Sequence, residues 1–131
     1  MGVRYPSQAS NTFVGPLPAN ATETVILVSP PLNISLDFSQ IFIQWACDIL
    51  AGTSTTALVF RLRRGTTTAG TLINAAAWTH TLAAGNSAAM SGAYFDTPGA
   101  VAGQQYALTV VQTAATAAGT FNDGALLAFA L

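Results

Sequence analysis

The sequence predicts an all-β protein, an antiparallel β-sandwich or barrel preceded by an extended N-terminal arm. Short runs rich in β-branched and aromatic residues are separated by clusters of Gly, Pro, Asn and Thr at intervals of roughly 8 to 12 residues, a spacing typical of sandwiches and barrels. Apolar and polar residues alternate with a period of two within several of these runs. No segment sustains the helical period of about 3.6 residues.

Residues 1–22 are predicted to form the arm and residues 23–131 the sandwich domain. Pro6, Pro16 and Pro18 stand among Ser, Asn and Gly in the arm, a composition that indicates extended or turn structure. The Ala-rich piece 114–118 is compatible with one helical turn. The strand candidates follow in order: Thr24–Ser29, Asn33–Phe38, Ile41–Ile49, Ala57–Arg64, Thr71–Ile73, Ala77–Thr81, Ala88–Asp96, Gln105–Thr113 and Gly124–Leu131.

The clearest strand is Ile41–Ile49, where every second side chain is apolar and points to one face. A turn is expected at 50–56, and the alternation resumes over Ala57–Arg64. Because the two strands follow each other so closely, we expect them to form a hairpin.

The length of 131 residues fits one domain, and a folded chain of this size buries about two thirds of the surface that its unfolded form exposes. Only 7% of the residues are charged, whereas 51% are hydrophobic. Ordinary soluble domains carry about 25% charged residues. So little charge indicates that part of the surface is covered by something other than water.

The cellular compartment is also predicted from the sequence composition. The longest apolar runs are far shorter than the roughly 18 residues that cross a bilayer, so no transmembrane helix and no membrane partner are expected. No basic stretch followed by an apolar run opens the chain, which argues against a secretory signal. Cys47 is the single cysteine, which fits synthesis in a reducing cytoplasm.

The sequence contains few residues of the types that catalysis or metal binding requires. His80 is the single histidine, and one His with one Cys cannot supply the usual zinc ligands or an oriented base for a nucleophile. A structural His80 and a packed, inert Cys47 are the favoured interpretations, and we expect no enzymatic activity, no metal and no cofactor. Five carboxylates leave one alternative open, a small polysaccharide hydrolase built on a pair of acids, although turns and strand ends explain their positions more simply.

The positive charge consists of four arginines on a chain of net charge −1, without a lysine or a phosphate-binding loop, so we expect no nucleic-acid binding. Arg61, Arg63 and Arg64 form the one concentrated charge feature. They are interpreted either as a solvated strand face with Asp48 of the neighbouring strand as a partial partner, or as a docking patch for an acidic protein surface.

The last strand is apolar on both faces, from Ala125 to Leu131. Only one face of each sheet in a sandwich looks inward, so the other face has to meet something else. We assign Leu126, Ala128 and Ala130 to that outer face, together with Val111 of the equally apolar segment Gln105–Thr113, as a candidate oligomer interface. These features favour an obligate homo-oligomer over a monomer with an Ala- and Thr-rich surface.

From Ile41 on, the chain resembles small phage structural proteins encoded near capsid genes. The resemblance is carried by Leu-Val-Phe-Arg-Leu-Arg-Arg-Gly-Thr-Thr at 58–67, Trp-Thr-His-Thr at 78–81, Tyr-Phe-Asp-Thr-Pro-Gly at 94–99, and Gly-Gln-Gln-Tyr-Ala-Leu-Thr-Val at 103–110 before the hydrophobic last strand. These proteins are jelly-roll decoration or cement proteins and head fibres, some with a tumour-necrosis-factor-like trimeric arrangement.

The resemblance implies a jelly-roll protein of the virion, made in the host cytoplasm, that binds the major capsid protein on the capsid exterior and reinforces the shell. It favours a trimer over a dimer. The candidate docking residues are Arg4, Tyr5, Phe13, Arg61, Arg63 and Arg64. The alternative is a receptor- or carbohydrate-binding head or tail fibre domain, in which Trp78, Tyr94 and Tyr106 would stack on sugars.

Overall fold

The computed structural model describes residues 7–8, 10–11, 15–18, 22–35, 40–113 and 119–131. These residues form strands, turns and loops and no helix, so none of them belongs to a helix long and apolar enough to cross a membrane. The strands are: β1 (Ser7–Gln8), β2 (Ser10–Asn11), β3 (Gly15–Pro16), β4 (Thr24–Val28), β5 (Leu32–Ile34), β6 (Ile41–Leu50), β7 (Thr56–Arg64), β8 (Trp78–Leu82), β9 (Ser87–Asp96), β10 (Val101–Gln104), β11 (Tyr106–Gln112) and β12 (Thr120–Ala130).

The strands pair as one long antiparallel ribbon folded onto itself. From the chain ends toward the middle, β1 pairs with β12, β4 with β11, β5 with β10, β6 with β9 and β7 with β8. The ribbon wraps into two main sheets, ordered β1-β12-β6-β9 (the first sheet) and β2-β4-β11-β7-β8 (the second sheet). Two facing antiparallel sheets connected in this way form a jelly roll. The predicted fold class, an all-β antiparallel sandwich of jelly-roll type, is therefore confirmed.

The core lies between the two sheets. Its largest fully buried side chains include Trp45 from the first sheet and Phe60 and Tyr106 from the second. Burying a large apolar side chain contributes roughly 1.5–3 kcal/mol, so this layer is the main driving force of folding. Cys47 belongs to it, and burial, with a smaller effect of the Asp48 charge, raises the pKa of its thiol to about 12. The prediction of a packed Cys47 is confirmed.

The predicted hairpin was wrong. β6 and β7 lie in opposite sheets, where β6 pairs with β12 and β9, and β7 pairs with β11 and β8. The connection at 51–55 crosses from one sheet to the other. Both partners of β6, and β11 as one of the two partners of β7, come from distant parts of the chain, so proximity in sequence did not pair β6 with β7.

Two further segments differ from the predicted strands. Thr71–Ile73 forms only an isolated bridge between Leu72 and Arg63. Beyond this bridge a side chain, and not the backbone, is the hydrogen-bond partner of β7: Oδ1 of Asn74 accepts a hydrogen bond of 2.7 Å from the backbone N–H of Leu62. β10 (Val101–Gln104) is a strand that the predicted strands did not include.

The described part of the arm pairs with the chain's own sandwich. β1 and β3 pair with β12 in the first sheet, and β2 pairs with β4 at the edge of the second. The sequence predicted an extended arm, and its described residues pair within the chain because both sheets offer an open edge to them. The segment 114–118, interpreted as compatible with a helical turn, lies outside the described residues.

Candidate assembly surface

The outer face of the first sheet carries an unusual set of side chains. In β6 the odd-numbered residues from Ile41 to Ile49 are buried, so the even-numbered residues point away from the core. The strand register places Phe42 of β6 opposite Phe129 of β12 on one side and Phe95 of β9 on the other. Three phenylalanines therefore form a row across the outside of the sheet.

This phenylalanine cluster (Phe42, Phe95 and Phe129) is in ring contact. The ring centroid of Phe42 lies 5.0 Å from that of Phe95 and 5.0 Å from that of Phe129, with interplanar angles of 45° and 61°. Such offset and edge-on pairs contribute about 0.5–1.5 kcal/mol beyond the area that they bury. Phe95 nevertheless stays 51% exposed, so a large apolar surface faces outward.

Small and apolar side chains extend the cluster along the sheet. The next outward row contains Leu127 and Ala93 on either side of the polar Gln44, and the row after it contains Ala125 and Ala46 beside Ser91. A shallow cavity of about 230 Å³ lies at this place. We call the phenylalanine cluster with the four apolar residues of these rows the apolar patch. Its small side chains allow another backbone to approach closely.

The far end of the same face is acidic. Asp123 lies directly opposite Asp48 in the register, and its Oδ1 accepts a hydrogen bond of 2.8 Å from the backbone N–H of Gly124. Like charges placed opposite each other on neighbouring strands repel. The outer face of the first sheet thus runs from an apolar end to an acidic end, and β6, β9 and β12 contribute no arginine to it.

Arg61, Arg63 and Arg64 lie elsewhere and are paired within the chain. Arg63 donates two hydrogen bonds to the carboxylate of Glu23, at 2.7 Å and 3.0 Å, and Arg61 lies 3.6 Å from the same carboxylate. Burial would raise the pKa of Glu23, but hydrogen bonds from Arg63 and Thr109 and the charges of both arginines outweigh it and lower this pKa. These residues cover the outer side of the second sheet.

A second ion pair closes one end of the core. Arg64 donates two hydrogen bonds to Asp96, at 2.6 Å and 2.9 Å, and the hydroxyl of Tyr106 donates a third of 2.9 Å. Burial alone would raise the pKa of Asp96, but these bonds and the Arg64 charge hold it below its usual value. Tyr106 is buried with its hydroxyl in this network, which leaves no ring face for a sugar.

The structure therefore corrects the partner that was expected for the arginine cluster. Asp48 belongs to the opposite sheet, and the three arginines are paired with Glu23 and Asp96 instead. Side chains of Arg61 and Arg64 stay about a third exposed, at 34% and 35%. A docking role for Arg61, Arg63 and Arg64 stays a prediction. The other candidate docking residues, Arg4, Tyr5 and Phe13, lie outside the described residues.

The face that the sequence analysis assigned to the β12 residues of the candidate oligomer interface was also wrong. Leu126 and Ala128 are fully buried in the core of the single chain, and Ala130 packs against that core. Val111 is 7% exposed. The outward residues of β12 are instead Leu127 and Phe129 with their neighbour Ala125, which the sequence did not assign to a contact. Phe42 was the available signal, because the alternation in Ile41–Ile49 already places it on the outside.

Comparison with known proteins gives structural matches only. No family model and no curated protein matches the chain. A chain from the structure of infectious bursal disease virus Gx strain is 12% identical at a TM-score of 0.59, and the match covers 95% of this chain and 28% of that chain. A chain of the Gt strain is 10% identical at a TM-score of 0.51, over 97% of this chain and 31% of that chain.

A chain from the naturally occurring empty particles of the cowpea mosaic virus top component is 11% identical over 100% of this chain and 84% of that chain, but its TM-score of 0.45 is too low to carry an argument. This chain spans less than a third of the length of the two infectious bursal disease virus chains, at 28% and 31%. At such low identities the likeness shows the fold alone, a jelly-roll sandwich shared with chains of virus structures.

Proposed function

We propose that this protein is a structural component of a bacteriophage particle that binds the outer surface of the capsid as an oligomer and reinforces the shell. The observation that carries the proposal is the apolar patch, an outward row of three phenylalanines on a folded jelly roll. The proposed partners are further copies of this chain, as a trimer, and the major capsid protein. The chain would act without catalysis.

The physical reason for association is the surface that folding leaves uncovered. Fully burying a phenylalanine contributes roughly 1.5–3 kcal/mol, and about half of that is still to be gained at Phe95, which is 51% exposed. Leu127 and the alanines beside the cluster add to the gain because they bring no charge that would lose its hydration. Interfaces of permanent oligomers have this apolar character.

The fold supports a role in a virus particle, since the chains of the infectious bursal disease virus structures share it at TM-scores of 0.59 and 0.51. The resemblance to phage decoration proteins points the same way. Reinforcement then follows from linkage, because a protein that binds only the assembled shell stabilises the assembled state.

Phe95→Asp tests the proposal, since it replaces the exposed ring of the phenylalanine cluster with a charge without touching the core. The matched control is Thr81→Asp, an exposed position on the second sheet. Light scattering after size exclusion should give the wild type and Thr81→Asp a mass about three times the 13.4 kDa of one chain, and Phe95→Asp a lower mass.

Particles produced with each variant give the second measurement. Those carrying Phe95→Asp should lose the protein on purification and survive heat and low salt less well than particles carrying Thr81→Asp. A monomeric wild-type chain, or particles that survive equally well without the protein, would contradict the proposal.

A further inference from the structure

A cleft opens between β9, the edge strand of the first sheet, and β8, the edge strand of the second sheet. Its volume is about 320 Å³, within the range of roughly 300–1,000 Å³ for small-molecule sites. Trp45 and Trp78 form an aromatic wall, with ring centroids 5.5 Å apart at 62°. Thr79, His80 and Ser91, all exposed, form a polar rim.

The aromatic wall contains a polar group without a partner. Trp45 is 2% exposed, and its indole Nε1 is a buried side-chain nitrogen that has no hydrogen-bond partner among the described residues. An indole N–H can only donate. A buried donor left unsatisfied costs about 1–3 kcal/mol. Because Nε1 has almost no accessible surface and lies against Gly92, a ligand oxygen can accept this hydrogen bond only after the indole ring shifts toward the cleft.

The residues around the cleft limit the chemistry of a ligand. No Asp, Glu or Arg is among the lining residues, so nothing balances a phosphate, a carboxylate or an ammonium group. The rim offers two hydroxyls and an imidazole, which suit a ligand with several hydroxyl groups, whereas a purely apolar chain would leave them unused. Trp78, partly exposed and in edge contact with Tyr94 at 6.4 Å, gives the apolar faces of such a ligand a surface to stack on.

We propose that this cleft binds a neutral pyranose unit of a carbohydrate, which stacks on Trp78 while Thr79, His80 and Ser91 contact its hydroxyls. A shift of the Trp45 ring then lets its indole N–H donate a hydrogen bond to the ligand. The site does not rest on the virion role proposed above, although Trp45 and Ser91 also line the shallow cavity beside Ala46 and Ala125 of the apolar patch. Glycoside binding is measured on the chain itself, separately from its mass and from particle survival. Failure of one proposal therefore leaves the other standing.

The chain has two tryptophans, so its ¹H–¹⁵N spectrum has two indole N–H signals, one from Trp45 and one from Trp78. The test titrates the labelled full chain with the methyl glycosides of glucose, galactose, mannose, rhamnose and N-acetylglucosamine. At least one should shift both indole signals saturably, with a Kd on the order of 1 mM for so small a ligand. Glucuronate, a charged analogue, should not.

Variants on the rim locate the binding. His80→Ala and Ser91→Ala should each weaken the affinity roughly 3- to 10-fold, the effect of one lost hydrogen bond. Thr79→Ala should also weaken it, whereas the matched control Thr81→Ala, two residues along the same strand, should bind as the wild type does. All four positions are exposed, so these variants should fold.

Three results would overturn the proposal. Indole signals that stay in place with every neutral glycoside would exclude a pyranose site. Equal affinities of the rim variants and Thr81→Ala would place the binding elsewhere. Saturable shifts with decanoate or with glucuronate, but with no neutral glycoside, would assign the cleft to another class of ligand.

Discussion

Replacing Gly92 with alanine tests how tightly Trp45 is held between the sheets. Gly92 lies opposite Trp45 in the register, and a Cβ atom at this position would lie 2.6 Å from Nε1 and 2.9 Å from Cε2 of the indole. Non-bonded heavy atoms prefer separations of about 3.5–4.0 Å. The indole has little room to yield, because it is stacked on Phe60 at a centroid distance of 4.7 Å and meets Trp78 edge-on.

The expected destabilisation combines two opposing effects. Overpacking a well-filled core lowers the free energy of unfolding by about 1–3 kcal/mol. Alanine also restricts the unfolded chain more than glycine does, which adds about 0.4–1 kcal/mol of stability where the backbone accepts it. Gly92 does not have a left-handed φ, so the backbone itself accepts alanine. We therefore expect Gly92→Ala to lower the free energy of unfolding by about 1–2 kcal/mol.

Urea denaturation followed by circular dichroism measures this loss, and a double-mutant cycle with Trp45→Phe assigns it. Phenylalanine lacks the Nε1 atom that the new Cβ would approach most closely, so Gly92→Ala should have an effect below about 0.5 kcal/mol in the Trp45→Phe background. An equal loss in both backgrounds would refute the steric explanation. It would show that alanine acts on the strand and not through the indole ring.

Three further predictions concern other parts of the molecule. Leu126→Ala should lower the free energy of unfolding by about 2–5 kcal/mol, whereas Leu127→Ala should lower it by less than about 1.5 kcal/mol and weaken self-association; similar urea curves for both would contradict the assignment of faces. Asp96→Asn should be less stable than the wild type at pH 7, where the ion pair with Arg64 is formed. The difference in stability should shrink below about pH 4. The pKa of Asp96 is lowered in the folded state, so the stability that its charge contributes is lost as the pH falls through that lowered pKa. Cys47 should react with a thiol reagent only as fast as the chain unfolds, since burial raises the pKa of its thiol to about 12, and a fast reaction of the native protein would show that the thiol is accessible.

The sequence predicted local structure well because alternation is a local property. In Ile41–Leu50 the buried and outward residues alternate without interruption, as the apolar pattern indicates. Strand partners are a non-local property, and they were missed. Nothing within β6 or β7 shows that each pairs with strands far along the chain, so adjacent strands were taken for a hairpin.

The arginine partners were missed for the same reason. Glu23 and Arg63 are 40 residues apart in sequence, and Arg64 and Asp96 are 32 apart. Their meeting depends on the wrapping of the whole ribbon, which places the end of β7 beside the residue before β4 and the end of β9. Residue types alone indicated that the arginines needed acidic partners, but not which ones.

A β-bulge fixes which residues of β12 face outward, and the predicted strand Gly124–Leu131 begins after it. The register with β6 shifts by one residue between Phe121 and Asp123, so both Phe121 and Leu126 point inward although they are five positions apart, a spacing that would place them on opposite faces of a regular strand. Without the bulge, Leu126 and the alternate residues after it would face outward, as the sequence analysis assumed. Whichever set of alternate residues faces outward, an apolar row lies on the outside of the sheet, because the strand is apolar on both faces. The need for a covering partner is therefore set by composition, and the bulge decides that Leu127 and Phe129, aligned with Phe42, are the residues that meet it.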